Sequence, residues 1–265
     1  MRILYFANNL VGLEVLRWLR GRDENVVGLV VHPDDRQRFK RDIVACAGLE
    51  PTEVFEASAL RQPETAERLR ALEPHIGVSV CFGYILSPQL LDLFPRGCIN
   101  LHTGFLPYNR GVFPNVWSIV DRTSAGVTVH YIDRGVDTGD VVAQRLVPVE
   151  PVDTGGSLYR KLERASLELF VETWPTILSG HAGRRQQDQQ AGSVHRATDV
   201  AMIDRIDLER TYTARELIDV LRARTFPPYR GAYFEQDGRR IYVRVQLLYD
   251  EEIETAEHTR QAGEA

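Results

Sequence analysis

The stretch "CINLH", residues 98–102, ends with an amide and an imidazole two residues apart, and the turn "TGFLPYNRG" follows it. The apolar run reads as a strand, whose period of two sets Asn100 and His102 on one face. Downstream, the polar, glycine-bearing segment "DRGVDTGD" (133–140) carries aspartates. An Asn, a His and a loop Asp together suit the attack of an amine on a carbonyl. The imidazole can remove the amine proton, the Asn amide can hold the oxygen that becomes negative, and a carboxylate can fix the imidazole tautomer and raise its basicity. No Ser or Cys with a local nucleophile signature accompanies them, which favours direct transfer over a covalent intermediate. A strand-end His and an Asn before a turn also occur as satisfied core or local hydrogen-bonding residues, so spacing alone leaves both readings open.

The elements that would position these groups alternate between two periods. "RILYFA" (2–7), "VVGLVVH" (26–32) and "IGVSVCF" (76–82) read as buried strands. "GLEVLRWLR" (12–20), the charged segment 35–47 and "PETAERLRAL" (63–72) read as helices, and Ser87-Pro88 as the cap and first residue of a short helix. Strands alternating with helices predict an α/β fold: a Rossmann-like, mostly parallel twisted sheet with helices on both faces. Ligands bind beyond the carboxyl ends of such strands, where Asn100 and His102 fall. A helix over 113–120, strands over 126–132 and 141–149, and a long amphipathic helix ending near Gly180 follow. Residues 181–197, rich in Gln, Gly, Arg and Ser, read as a linker, 198–253 as a small α+β subdomain, and 254–265 as a polar tail. In the subdomain, Thr213 and Glu216 form a capping box, and a hairpin turns at Asp237-Gly238.

A chain of 265 residues with 43% hydrophobic and 26% charged residues fits one large domain or a domain with a small appendage. No apolar run approaches a membrane span, and the amino terminus lacks the layout of a signal peptide. Cys46, Cys81 and Cys98 form no CxxC pair and read as reduced thiols of a cytoplasmic protein. The net charge of −5 argues against a nucleic-acid partner, and the histidines show no metal-ligand spacing.

"INLHTGFLPYNRG" followed by "GVTVHYIDRGVDTGDVVAQ" resembles the formyltransferase family that uses N10-formyltetrahydrofolate. Its pattern is Asn-x-His-x-Ser-Leu-Leu-Pro, then a Gly-Val-Thr strand, then Asp-x-Gly. The likeness extends upstream through "VSVCFGYILSPQLLDLFPRG" and spans residues 1–180, the catalytic domain. It implies Asn100 as oxyanion donor, His102 as general base and Asp137 as the carboxylate that orients and charges it. Of the rival carboxylates, Asp133 is then a loop residue near the folate and Asp140 structural. It also implies that the folate co-substrate lies against Tyr84, Ile85 and Leu86 and beside Asp133 to Val136, with no metal. The segment "TGFLP" departs from the family pattern in its hydroxyl and apolar positions, which leaves the chemistry in place and bears on acceptor choice.

Three acceptors are typical of that family: methionyl-tRNA, glycinamide ribonucleotide and a nucleotide-linked amino sugar. Residues 191–265 carry 11 Arg and no Lys against 14 Asp plus Glu, an acidic balance unsuited to tRNA. The ribonucleotide enzyme is usually shorter and lacks such a C-terminal extension. "LPYNRGVFPNVWSI" and "LRARTFPPYRGAYF" are similar to segments of sugar N-formyltransferases, so a dTDP- or UDP-linked amino-dideoxy sugar is the expected acceptor, used in cell-surface glycans such as lipopolysaccharide O-antigen. A sugar nucleotide needs cations for its diphosphate and aromatic faces for its base. Arg110 and Arg230 are candidates for the first, Phe226 and Tyr229 for the second. Tyr108 and Asn109 are candidates for the hexose, and Asn9 for the crevice. A folate- or nucleotide-binding protein without catalysis is the alternative from another class. The hairpin segment "RRIYVRVQLL" offers alternating apolar residues that either pair across a homodimer or pack on their own domain.

Overall fold

Strand β1 (Ile3–Ala7) is buried along its length and feeds two different cores. In the computed structural model, which describes residues 1–254, Ile3 and Tyr5 pack into one apolar cluster, and Leu4 and Phe6 into another. A parallel strand buried on both faces is central and must be covered from both sides. β2 (Val26–Val31), β3 (Val54–Glu56), β4 (Ile76–Val80) and β5 (Cys98–His102) extend the sheet around β1, all parallel. The two-residue β6 (Arg110–Gly111) stands outside it, and β7 (Gly126–Tyr131) and β8 (Val141–Leu146) close the far edge antiparallel. The order is β3-β2-β1-β4-β5-β7-β8, so the chain changes direction across the sheet between β1 and β4 and opens a crevice beyond their carboxyl ends.

The face that receives Ile3 and Tyr5 is covered by α1 (Asn9–Arg20), through Leu13, Leu16 and Leu19. The long α6 (Gly155–Ser179) covers it too, through Leu158, Leu162, Phe170 and Trp174. α2 (Lys40–Ala47) supports α1 from the side with Ile43 and Ala47. α3 (Pro63–Ala71) and α4 (Pro88–Leu91) cover the opposite face with Leu69, Leu90 and the following Phe94. Cys98 belongs to that second cluster, so by alternation Asn100 and His102 lie on the same side, where the cover ends. α5 (Pro114–Val120) and α6 complete the large layer. Thr154 caps α6 by accepting from the Ser157 N–H, and Gly180 ends it in the left-handed conformation.

The expected mostly parallel sheet with helices on both faces is the fold that forms, with a small C-terminal unit beside it. That unit holds α7 (Asp199–Asp204), α8 (Ala214–Arg224) and the hairpin β10 (Tyr233–Gln236) and β11 (Arg239–Tyr242). Asp237 and Gly238 both take positive φ at its turn, and Thr213 with Glu216 closes the capping box of α8. The second helix is shorter than expected, starting at Lys40 rather than near residue 35. A turn follows Pro33, and Phe39 takes a left-handed conformation that no helix interior accepts. The strand expected over 141–149 stops at Leu146, two residues before Pro148, which has no N–H for a ladder. The polar tail expected over 254–265 lies, beyond Glu254, outside the described residues.

Residues 181–197 fold back onto the large domain instead of spanning open space. Arg185 exchanges two backbone hydrogen bonds with Val141, and β9 (Val194–His195) pairs in parallel with β6. Ser193 accepts from the Asn109 N–H and donates to the Asn109 side chain. His195 stacks on Trp117 at 4.0 Å, its Nε2 2.9 Å from Asp121. A side chain on Gly111 would meet the His195 carbonyl at 2.2 Å, so this crossing requires glycine there.

Candidate active site

The antiparallel register of β5 and β7 sets Asn100 opposite His130 and His102 opposite Thr128. The loop after β7 then returns Asp137 to the same corner. His130 Nδ1 lies 2.9 Å from the Tyr131 carbonyl, and its Nε2 lies 3.2 Å from the Asn100 amide nitrogen and 3.4 Å from Asp137 Oδ1. An Asn100 N–H points at Asp137 Oδ1 over a longer 3.4 Å, and this loosely held donor is the one free to turn to a developing oxyanion. Asp137 Oδ2 accepts from the Gly111 N–H at 2.9 Å and stands 3.6 Å from His102 Nδ1. Asp137 takes φ +53°, a left-handed conformation that Asp tolerates better than most residues and that turns its carboxylate inward.

Burial works against ionisation of Asp137. The His102 and His130 rings and the Gly111 N–H together outweigh it and hold the carboxyl well below the usual carboxylate range. Burial also pushes His102 below an ordinary histidine. Asp137 and the Asn109 carbonyl, 3.1 Å from Nε2, draw it upward, and the neighbouring His130 adds to the downward push. The imidazole therefore enters neutral solution uncharged, able to take a proton, beside a carboxylate that stabilises the cation once formed. A Cβ at Gly104 would lie 2.5 Å from His102 Nε2. Glycine at the position where the family pattern has Ser is thus what lets the ring settle against the Asn109 carbonyl, and this departure touches the candidate base itself.

The two rival carboxylates are committed elsewhere. Asp133 Oδ1 accepts from the Gly135 N–H and the Thr138 hydroxyl, shaping its own exposed turn, and Asp140 faces Arg184 at 4.0 Å. Cys81, at the end of β4, is no nucleophile: burial, then Glu163, pushes its thiol up to about 12. Among the described residues, no group of three or more His, Cys, Asp or Glu is placed to hold a metal ion.

On the second face of the sheet, Tyr84 stands edge-on to His32 at 5.0 Å and beside Phe82 at 5.5 Å. Leu86 is buried in the cluster that Ile132 also packs against, so its side chain is not open to a ligand. Ile85, 75% exposed, and Val136, 44% exposed, are free apolar surface on the two loops that would flank a flat heterocycle, with Asp133 exposed beside Val136.

The residues expected to hold the acceptor divide sharply. Asn109 is fully buried, its amide donating to Ser118 and Thr123 and its oxygen accepting from Ser193, so its side chain has no face for a hexose. Arg110 is 4% exposed and directs its guanidinium to Gln187 and the Asp188 carbonyl, which leaves it unavailable to a diphosphate. Both expectations are corrected: these residues build the turn instead of reading the substrate. Tyr108 is exposed beside them. Asn9, Phe226 and Tyr229 do converge, through Tyr159. The Asn9 amide donates to the Tyr159 hydroxyl, Phe226 packs on Tyr159 at 5.3 Å, and Tyr229 stands edge-on to Phe226 at 5.1 Å. Arg38 covers the Tyr229 ring at 5.1 Å and brings a cation to the crevice mouth; Arg230 is exposed close by in sequence. Sequence reasoning missed Arg38, Tyr159 and His130. Only His130 had a readable signal, the alternation of "GVTVHY", which puts it on the face of Thr128.

Comparison with known proteins identifies the family. A family profile described as "Formyl transferase" matches residues 1–174, and one described as "N-formyltransferase dimerization C-terminal domain" matches 199–249. A methionyl-tRNA formyltransferase of Geobacter sulfurreducens is 32% identical over 248 residues, covering 91% of this chain and 76% of that protein. A dTDP-4-amino-4,6-dideoxyglucose formyltransferase of Mycobacterium bovis is 38% identical over 173 residues, covering 63% and 74%. Among solved structures, a 4-N formyltransferase from Francisella tularensis superposes with a TM-score of 0.81 at 27% identity, covering 94% of this chain and 98% of that one. A formyltransferase from Anoxybacillus kamchatkensis, in complex with UDP-4,6-dideoxy-4-formamido-L-AltNAc and tetrahydrofolate, superposes at 0.56 with 28% identity, covering 76% and 89%. With two thirds of its length matched by the catalytic profile and its Asn, His and Asp gathered at one strand end, the chain belongs to the formyltransferase family.

Proposed function

We propose that the protein transfers a formyl group from N10-formyltetrahydrofolate to the amine of a dTDP- or UDP-linked amino-dideoxy sugar. His102 removes a proton from the amine, the nitrogen attacks the formyl carbon, and the carbonyl oxygen becomes an oxyanion held by Asn100. The oxyanion then collapses, the bond from the formyl carbon to N10 breaks, and the proton on His102 passes to N10, so tetrahydrofolate leaves neutral at that nitrogen. Asp137 keeps the ring oriented and stabilises it while charged.

One observation carries the acceptor assignment. The crevice joins a cation, Arg38, to the aromatic faces of Tyr229 and Phe226 and the polar groups of Asn9 and Tyr159, the functional groups that a sugar nucleotide demands. The likeness to a dTDP-amino-sugar formyltransferase and to the UDP-sugar complex supports the same class. In this reading residues 1–180 hold folate and chemistry, and 198–253 contribute aromatic contacts and pair two copies, as the name of the matching C-terminal profile suggests. The test is a panel of amino-sugar nucleotides with the formyl donor, scored by product mass. A gain of one formyl group on a sugar nucleotide is expected; no modified sugar nucleotide across the panel overturns the assignment.

Methionyl-tRNA is the second reading, favoured by relatives that align over most of the chain. The acidic balance of residues 191–265 weighs against it. Adding aminoacylated initiator tRNA to the panel separates the two.

A further inference from the structure

Gln187 lies in the segment read as a linker, yet it is 7% exposed and uses every hydrogen-bonding group of its side chain. Its amide nitrogen donates to the Asp137 carbonyl at 2.8 Å and the Gly139 carbonyl at 2.7 Å. Its oxygen accepts from Arg110 at 3.1 Å. Arg110 in turn precedes Gly111, whose N–H holds Asp137 Oδ2. One side chain thus grips the loop of Asp137 from its backbone and the strand that contacts the carboxylate. Asp137 needs such a grip because its left-handed conformation turns its carbonyl away from any regular ladder.

We propose that Gln187 is a positioning residue for the reaction: by bridging Arg110 to the carbonyls of Asp137 and Gly139, it fixes the Asp137 carboxylate in the orientation that serves His102. The neighbouring residues of the strap explain why the bridge can hold. Arg185 is tied to Val141, Gln189 donates to the Thr138 carbonyl, and β9 is paired to β6 on the other side. The proposal rests on the reading of His102 and Asp137 as the base and its partner.

The test follows the His102 ring by NMR in the free enzyme, so that it does not depend on knowing the acceptor. The groups facing that ring are Asp137 from the loop, His130 from β7 and the Asn109 carbonyl. Gln187→Met keeps length and bulk and removes both donations. Releasing Asp137 weakens its upward pull on His102, so the midpoint is expected to fall by about half a pH unit or more. With an acceptor in hand, kcat should drop about tenfold to a hundredfold while donor KM stays within about threefold. Gln187→Asn, whose amide is one methylene too short, should move both readouts the same way and serves where Met does not fold. Gln186→Ala, exposed on the same strap, should move neither. An unshifted His102 midpoint in the Met or Asn variant overturns the positioning role. A shifted midpoint with unchanged kcat would instead leave the positioning intact and refute the catalytic reading of His102.

Discussion

The carboxyl end of β5 and the crevice between β1 and β4 are built in opposite ways. At the first, one strand, its antiparallel neighbour and one loop bring Asn100, His130, His102 and Asp137 into contacts of 3.2–3.6 Å. At the second, Asn9, Arg38, Tyr159 and the Phe226–Tyr229 pair arrive from four separated segments and meet mainly through ring contacts of 5.1–5.3 Å. The corner is buried, charged and cross-tied, so it has little freedom to vary. The crevice ends in exposed Tyr229 and a cation on a loop, and can change one member without losing the others. On the proposed function, chemistry is held by a local, over-determined arrangement, and acceptor choice by a dispersed one.

That contrast can be broken by substitution. The largest effect is expected at the corner: His102→Asn or Asp137→Ala should lower kcat by about 10²–10⁴-fold with the circular dichroism spectrum unchanged. Near wild-type turnover in either would remove that residue from the chemistry. Asn100→Ala comes next, at about 10²–10³-fold in kcat and little change in either KM, because its donor is needed in the transition state. At the crevice, Tyr229→Ala and Arg38→Ala should instead raise acceptor KM by several-fold to about tenfold and leave kcat and donor KM near wild type. If kcat fell with them as steeply as with Asn100→Ala, the separation of chemistry from acceptor reading would fail.

The smallest effect is in pH. His102 is held below the ordinary value of 6.5, so the folded protein binds fewer protons than the unfolded chain just below that pH. Stability present above pH 6.5 is therefore lost as pH falls, and Tm should decline between pH 7 and 5.5, less steeply in His102→Asn. The lowered Asp137 adds no slope in that window, because its loss comes only in more acidic solution, as pH falls through its depressed native value. A Tm profile identical in wild type and His102→Asn would contradict the neutral buried imidazole.

The corner was legible in part: strand period put Asn100 and His102 on one face, whereas the loop offered Asp133, Asp137 and Asp140 alike and only the family resemblance singled out Asp137. The alternating fold was legible from apolar runs and caps such as Ser87 and Thr213. The crevice was half legible. Tyr229 and Phe226 stand in an aromatic segment that draws notice, whereas Arg38 and Tyr159 look like any surface cation and any helix residue until the chain folds. Asn109 and Arg110 misled because a polar residue beside a catalytic turn reads as a substrate contact. Only tertiary structure shows that Ser118, Thr123, Ser193 and Gln187 consume their hydrogen bonds. Low-complexity composition hid the strap of residues 184–195 in the same way, since Gln-rich sequence carries no periodic signal.

The joint action of His102 and Asp137 is tested most directly by a double-mutant cycle on kcat, with His102→Asn, Asp137→Ala and the double variant assayed on the same acceptor. A carboxylate that works through the imidazole predicts a double variant within about threefold of the worse single variant. Losses that multiply would show two independent contributions and contradict the coupled corner.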